Sequence, residues 1–363
     1  LSDVIEGITL CDALPNIDYV MSMFLPWDVN TEVYDRYQME VMLNYTTKPI
    51  VFVTPDFQGC VDAVEMAEAV VGGAEALRQN PLAICYINVT TPLRHNQEAV
   101  QKLLYMARKG LPVLYVPVSS GGTTSPVTLA GNLALANAGH LAGLVLSQLA
   151  REGVPFMPGG WAGNSLDMKT LIDPYVVPAK SGLGVELAHY YRLPVYGMAG
   201  CSDAKELDQQ AAAEHALTIL TEALSGANLV HDLGYLESGM TGSLEAMVIC
   251  DELVSWVKDY MKGLEINEET LALDLIDEIG PEGQFLDSDH TLRHFRETWY
   301  PRFFDRRNYD DWAADGSKTL RDRAREKVEA VLAEHQPEPL PKDAAERVKA
   351  IVRRAEERAT GTQ

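Results

Sequence analysis

Residues 111–132 read LPVLYVPVSSGGTTSPVTLAGN. The run 112–119 is apolar without alternation, as in a strand covered on both faces within a parallel sheet. It ends in Ser119-Ser120-Gly121-Gly122-Thr123-Thr124, a turn composition. Ser125-Pro126 then offers an N-cap and a proline at the first helical position. Beyond it, 129–149 is apolar but interrupted by Asn132, Asn137, His140 and Gln148, which predicts a buried packing helix rather than a membrane span. Strand, glycine-rich turn and helix make one βα unit.

The same unit recurs along the chain. Apolar runs at 19–26, 49–55, 83–90, 112–119, 154–160, 194–200 and 227–233 are separated by segments with helical spacing, such as 61–80, 205–224 and 243–261. Several strands follow Leu-Pro or Val-Pro, as at Leu111-Pro112, Val154-Pro155 and Leu193-Pro194. A long, regular repeat favours a (β/α)8 barrel over an open doubly wound sheet. Seven runs are visible where a barrel needs eight, and 3–16 reads as a helix, so the first strand is expected upstream of Leu1. The barrel, strands 2–8, is assigned to 1–262. Residues 263–363 are expected to form a helical extension packed on it, capping the barrel or reaching a neighbouring subunit. A homo-oligomer is compatible with that tail.

The net charge of −22 argues against nucleic acid, whose phosphates need clustered Lys and Arg. Residues 1–15 lack a basic leader, and a soluble cytoplasmic protein is expected. Five scattered cysteines, none in a CxxC pair, read as reduced thiols.

Active sites of such barrels lie at the C-terminal strand ends. There the sequence places Trp27, Arg94, His95, Trp161, His231-Asp232 and Tyr235, with Gly121, Gly122, Thr123, Gly200, Ser202 and Asp203 in the loops. Phe24, Tyr86, Tyr115 and Tyr196 add aromatic faces near the strand ends. His231-Asp232 is either a substrate-orienting pair or a hydrogen-bonded core pair. Lys205 reads as a Schiff-base lysine or an ion-paired one, and Cys201 as a nucleophile or an inert thiol. His290 and His294, four apart, suit a metal but lack a third ligand in the sequence, and a structural pair is favoured.

Four stretches, taken in order, carry a resemblance. They are 122–131 (GTTSPVTLAG), Ser202-Asp203-Ala204-Lys205 with Asp208 and Gln210, 226–232 (GANLVHD) and 290–295 (HTLRHF). Together they resemble the trimethylamine methyltransferase family, over essentially the whole chain. The resemblance implies a (β/α)8 barrel that moves a methyl group from a methylated amine to the Co(I) corrinoid (cobalamin) of a small partner protein, with no metal or nucleotide bound by this chain. Trimethylamine-specific members carry pyrrolysine, and this sequence holds only standard residues. A quaternary amine such as glycine betaine is therefore the expected donor; trimethylamine, or a non-catalytic protein that only docks a corrinoid partner, is the alternative. In this reading Trp27, Trp161 and Tyr235 surround the ammonium. Arg94, His95 or His231 holds a carboxylate, and the loop residues Gly121, Gly122, Thr123, Gly200, Ser202 and Asp203 face the corrinoid.

Overall fold

The computed structural model describes residues 1–161, 165–176 and 181–361. The strands β1 (Ile50–Val53), β2 (Ala83–Asn88), β3 (Val113–Val116) and β4 (Phe156–Pro158) pair in parallel and in chain order. Ile50 lies opposite Ala83, Cys85 opposite Val113, and Val113 opposite Phe156. A parallel bridge from Gly159 to Tyr196 carries the wall on to β5 (Tyr196–Met198), which pairs with β6 (Leu229–His231). The predicted strand at 19–26 does not form a ladder. It contributes one parallel bridge, Val20 to Ile50, through Val20 N–H donating to Pro49 O (2.9 Å) and Val51 N–H to Val20 O (2.8 Å).

Period-two patterning sorts the strand residues into two cores. Phe52, Cys85, Ile87, Val113 and Tyr115 join the large core under the helices. Val51, Leu114, Val116 and Tyr196, with Tyr19, Met21, Ile84, Tyr86, Met157 and Leu229, fill the concave side of the wall.

Helix ends follow local chemistry. α1 (Ser2–Ala13) and α2 (Tyr34–Tyr45) precede β1. The predicted helix 61–80 is divided at Gly72-Gly73, both at positive φ, into α3 (Phe57–Val71) and α4 (Ala74–Gln79). After α5 (Gln97–Lys109) and β3, α6 (Leu129–Ala150) begins later than Ser125-Pro126 suggests. Ser125 is held in the preceding turn instead, its carbonyl accepting from Gly122 N–H at 2.9 Å. α7 (Ser181–Tyr190) follows β4; α8 (Gln209–Ser225) is capped by Asp208, and α9 (Leu244–Met261) by Ser243.

α6 is long and apolar enough to cross a membrane, by length and composition alone. One face packs: Asn132, Ala136, His140, Gly143 and Ser147 are buried, against α5, β3 and β4. Ala130, Ala134, Ala138, Val145 and Leu149 are exposed on the other, so the expected buried helix is buried on one side only. Gly143 sets the approach, because a Cβ there would meet Tyr115 Cε1 at 2.3 Å. Gly143→Val should therefore lift α6 from the sheet and cost about 1–3 kcal/mol, the usual overpacking range. Thermal denaturation checks this, and an unchanged midpoint would contradict it.

The wall has an opening between the Val20 segment and β6. Two tyrosine hydroxyls span it: Tyr19 donates to Val230 O at 2.7 Å and Tyr235 to Met23 O at 3.0 Å. Behind them lies an apolar cavity of about 610 Å³, bounded by Tyr19, Met21, Leu229 and His231 on the strands, Ile219 on α8 and Met247 on α9. α1 begins beside Asp28, at the far end of the 19–26 segment, where the Leu1 amino group pairs with the Asp28 carboxylate.

Beyond α9, the chain from 262 to 300 contains no buried residue, although it holds α10 (Glu268–Leu271), α11 (Leu273–Ile279) and α12 (Asp289–His294). After α13 (Tyr309–Ala314), α14 (Leu320–Glu334) packs Ala324, Val328 and Val331 toward α9 and α1. α15 (Lys342–Thr360) lays Ala344, Val348, Ile351, Val352 and Ala355 against α3 and α2.

Candidate active site

The concave side of the wall is aromatic toward the C-terminal ends of the strands. Tyr196 stacks on His231 with ring centroids 4.3 Å apart; Tyr86 meets His231 edge-on at 6.3 Å and Tyr196 at 6.0 Å. Tyr19 lies 6.4 Å from Tyr196. Strand parity explains the grouping: Tyr86 follows Ile84 by two on β2, and His231 follows Leu229 by two on β6, so all point inward.

Asp232 follows at φ +76°. Its Oδ1 lies 2.5 Å from His231 Nδ1, but without hydrogen-bond geometry; that Nδ1 and Asp232 Oδ2 are both buried, and neither has a hydrogen-bond partner among the described residues. The carboxylate acts on the phenols and the thiol around it. It is the leading cause of the raised pKa of Tyr175. It adds to burial in raising Tyr19, Tyr86, Tyr196, Tyr235 and the Cys201 thiol. These phenols and the thiol stay neutral at physiological pH, so they serve as walls and donors rather than as bases or nucleophiles. Neutral aromatic faces around a carboxylate make a site for an organic cation.

Tyr175 reaches this site from a loop. Asp203 fixes that loop by accepting from Tyr175 N–H (2.8 Å), Val176 N–H (3.2 Å) and Ser238 Oγ (2.7 Å). Gly239 leaves room for the ring: a Cβ there would lie 3.1 Å from Tyr175 Cζ.

Of the residues singled out in the sequence, His231, Asp232, Tyr235, Tyr86 and Tyr196 belong to this group. Trp27 is 79% exposed and makes no ring contact among the described residues. Trp161 is 5% exposed and packs at a tilt on His140, ring centroids 4.1 Å apart, in a separate cluster with Val185 and Val195. His140 Nε2 donates to Gly159 O at 2.8 Å, and burial lowers its pKa to about 4, keeping it neutral. His95 is tied to the Tyr115 hydroxyl at 2.8 Å, and Tyr115 belongs to the outer core. Arg94 is exposed. Lys205 is exposed, its ammonium on Asp203 O at 2.8 Å, which places it outside the aromatic group.

The glycines of the loops are filled by the chain itself. A Cβ on Gly121 would meet Ser165 Oγ at 2.9 Å, one on Gly122 would meet Met168 Cε at 2.5 Å, and one on Gly200 would meet Leu233 Cδ2 at 2.4 Å. Thr123 is exposed beside them, its hydroxyl on Ser120 O. Ser202 is buried, donating to Glu214 at 2.6 Å. Tyr175 is the functional candidate the sequence did not signal. It lies 15 residues beyond the fifth predicted strand, and its position depends on the Asp203 contacts.

The comparisons follow the geometry. The chain resembles a solved structure titled as the hydroxylamine complex of MtmB, with a TM-score of 0.50 over 91% of this chain and 69% of that one; at 12% identity the likeness concerns the fold. That fold is a TIM barrel, in keeping with the parallel wall. Two curated relatives are named trimethylamine methyltransferase MttB. The one from Desulfitobacterium hafniense (strain DSM 10664 / DCB-2) is 34% identical over 98% of this chain and 72% of its own length. The one from Methanosarcina barkeri (strain Fusaro / DSM 804) is 35% identical over the same shares. A glycine betaine methyltransferase of Desulfitobacterium hafniense (strain Y51) is 32% identical over 80% of this chain and 61% of its own. The family described as trimethylamine methyltransferase (MTTB) matches residues 1–360. The chain therefore belongs to the trimethylamine methyltransferase family, whose enzymes methylate a partner corrinoid protein.

Proposed function

We propose that this protein transfers a methyl group from a quaternary amine of the glycine betaine kind to the Co(I) corrinoid of a small partner protein. The observation that carries the reading is the Asp232 carboxylate among inward-facing aromatic side chains. A quaternary ammonium cannot donate a hydrogen bond, so it is held by ring faces and by charge. The corrinoid enters as co-substrate and supplies the nucleophile. The chain's own residues bind the ammonium, aim one N–CH3 bond at the mouth of the wall and keep water out. The departing amine is neutral and takes no proton, which suits a site whose phenols and thiol do not ionise.

Trimethylamine is the second reading. Of the three groups expected to hold a carboxylate, Arg94 is exposed and His95 is engaged by Tyr115, leaving His231. Co(I) methylation with glycine betaine, tetramethylammonium and trimethylamine separates the readings. Turnover of trimethylamine alone would overturn the quaternary-amine proposal. Within it, Tyr86→Leu should raise the KM for the amine about 2- to 30-fold, equivalent to about 0.5–2 kcal/mol of cation–π attraction. Trp27→Ala should stay within about twofold of the parent enzyme, because a single exposed aromatic contributes little.

The same reading takes the barrel to be eight-stranded. One parallel strand fits the opening between Val20 and β6, over the apolar cavity, with α1 as its return helix.

A further inference from the structure

The chain from 262 to 300 keeps three short helices without burying a residue. Apolar burial is what normally offsets the conformational entropy of ordering such a stretch; Trp299 at its end stacks on Trp256 of α9 and donates to Ser255 Oγ, and the helices before it would gain from a further tie. Side chains from both ends of this segment meet in one place. His290 and His294 lie one turn apart on α12, ring centroids 4.4 Å from each other. Glu269, on α10, supplies the third group that the sequence did not reveal, and the three ligating atoms all lie within 4.8 Å of one another.

We propose that Glu269, His290 and His294 bind a divalent zinc-like ion that staples α10 to α12. Two imidazoles and a carboxylate are a zinc ligand set, and a helical i, i+4 pair presents both imidazoles on one side. His294 Nε2 faces Glu269 Oε1 at 3.2 Å, while its Nδ1 faces Glu297 Oε2 at 2.9 Å. A carboxylate on the far nitrogen fixes tautomer and ring orientation, as partners of metal-bound histidines do. The remaining polar contacts are His290 Nε2 with Glu269 O at 3.1 Å and Arg293 donating to Glu269 Oε1 at 2.7 Å. Arg293 is exposed and can swing to solvent, leaving both carboxylate oxygens for the ion.

The test uses the full chain, freed of metal by chelation and titrated with zinc sulfate alone. About one zinc per chain is expected by elemental analysis after gel filtration, with slowed amide exchange across 264–300. His290→Ala/His294→Ala should lose the ion. Glu297→Gln leaves the three ligands in place and should weaken zinc about 10- to 100-fold. Cobalt(II) substitution gives a second readout, the visible bands of a low-coordinate nitrogen–oxygen site. Zinc well below one equivalent, equal retention by the double variant, or unchanged exchange across 264–300 would overturn the proposal. None of these readouts depends on methyl transfer, so the proposal and the functional reading fail separately.

Discussion

Asp232→Asn should lower kcat/KM for the methylated amine by about two orders of magnitude. The substitution keeps the shape of the side chain and removes the charge that opposes the ammonium. Truncating one partner of a buried charge pair costs about 2–5 kcal/mol, and 1.4 kcal/mol is about tenfold. His231 loses its close anionic neighbour in the same step. The loss should fall mainly on KM, because a fixed charge that meets the same cation before and during transfer contributes uniform binding. The measurement is the rate of Co(I) methylation against amine concentration, with near-ultraviolet circular dichroism as a check on the fold. A KM within twofold of the parent value would show that Asp232 does not face the ammonium.

Arg36→Ala should destabilise the fold by about 3–5 kcal/mol, the cost of stripping one partner from a buried ionic group. Arg36 is 4% exposed and contacts Asp35 at 2.8 Å, Asp56 at 3.0 Å and Asp62 at 3.1 Å. Asp35 and Asp62 are each 1% exposed, and Arg358 of α15 also reaches Asp62, at 2.5 Å. Removing Arg36 leaves Asp35 without a cation and loosens the joint between α2, α3 and α15. Gly59 belongs to the same joint, since a Cβ there would meet Asp35 Oδ2 at 2.4 Å. The network also sets a pH dependence. Burial raises Asp56, but hydrogen bonds from Arg36 and Gly59 more than reverse this and lower its pKa. Its contribution is then complete above the ordinary aspartate range and is lost as pH falls through the depressed value. Urea unfolding at neutral pH checks the main effect, and a change below about 1 kcal/mol would contradict it.

The repeat of strand and helix was legible because apolar runs and turn residues are local signals. The parallel order of β1 to β6 follows from them. The segment 19–26 has the same composition but lacks a neighbour on one side, and a ladder is a property of two strands. The site was legible only in part. His231 and Tyr235 stand at a strand end in the sequence, and parity on β2 and β5 also points Tyr86 and Tyr196 inward. Trp27 and Trp161 have the right type and position in a loop, yet one faces solvent and the other packs on His140; loop composition does not fix the direction of a side chain. Glu269 and His294 are 25 residues apart, and nothing local announces that α12 returns to α10.

Asp232 holds a left-handed backbone conformation, which costs a residue with a Cβ roughly 1–3 kcal/mol, and it carries charge among apolar rings. Asparagine and glycine occupy that region more readily, and neither brings the charge. The same Asp232→Asn protein that turns over poorly should therefore melt higher than its parent, as should Asp232→Gly unless its extra freedom in the unfolded chain dominates. Under the proposed function, strain at this residue is a reservoir kept for the reaction. Selection for thermal stability alone, with no demand for methyl transfer, would be expected to remove it early.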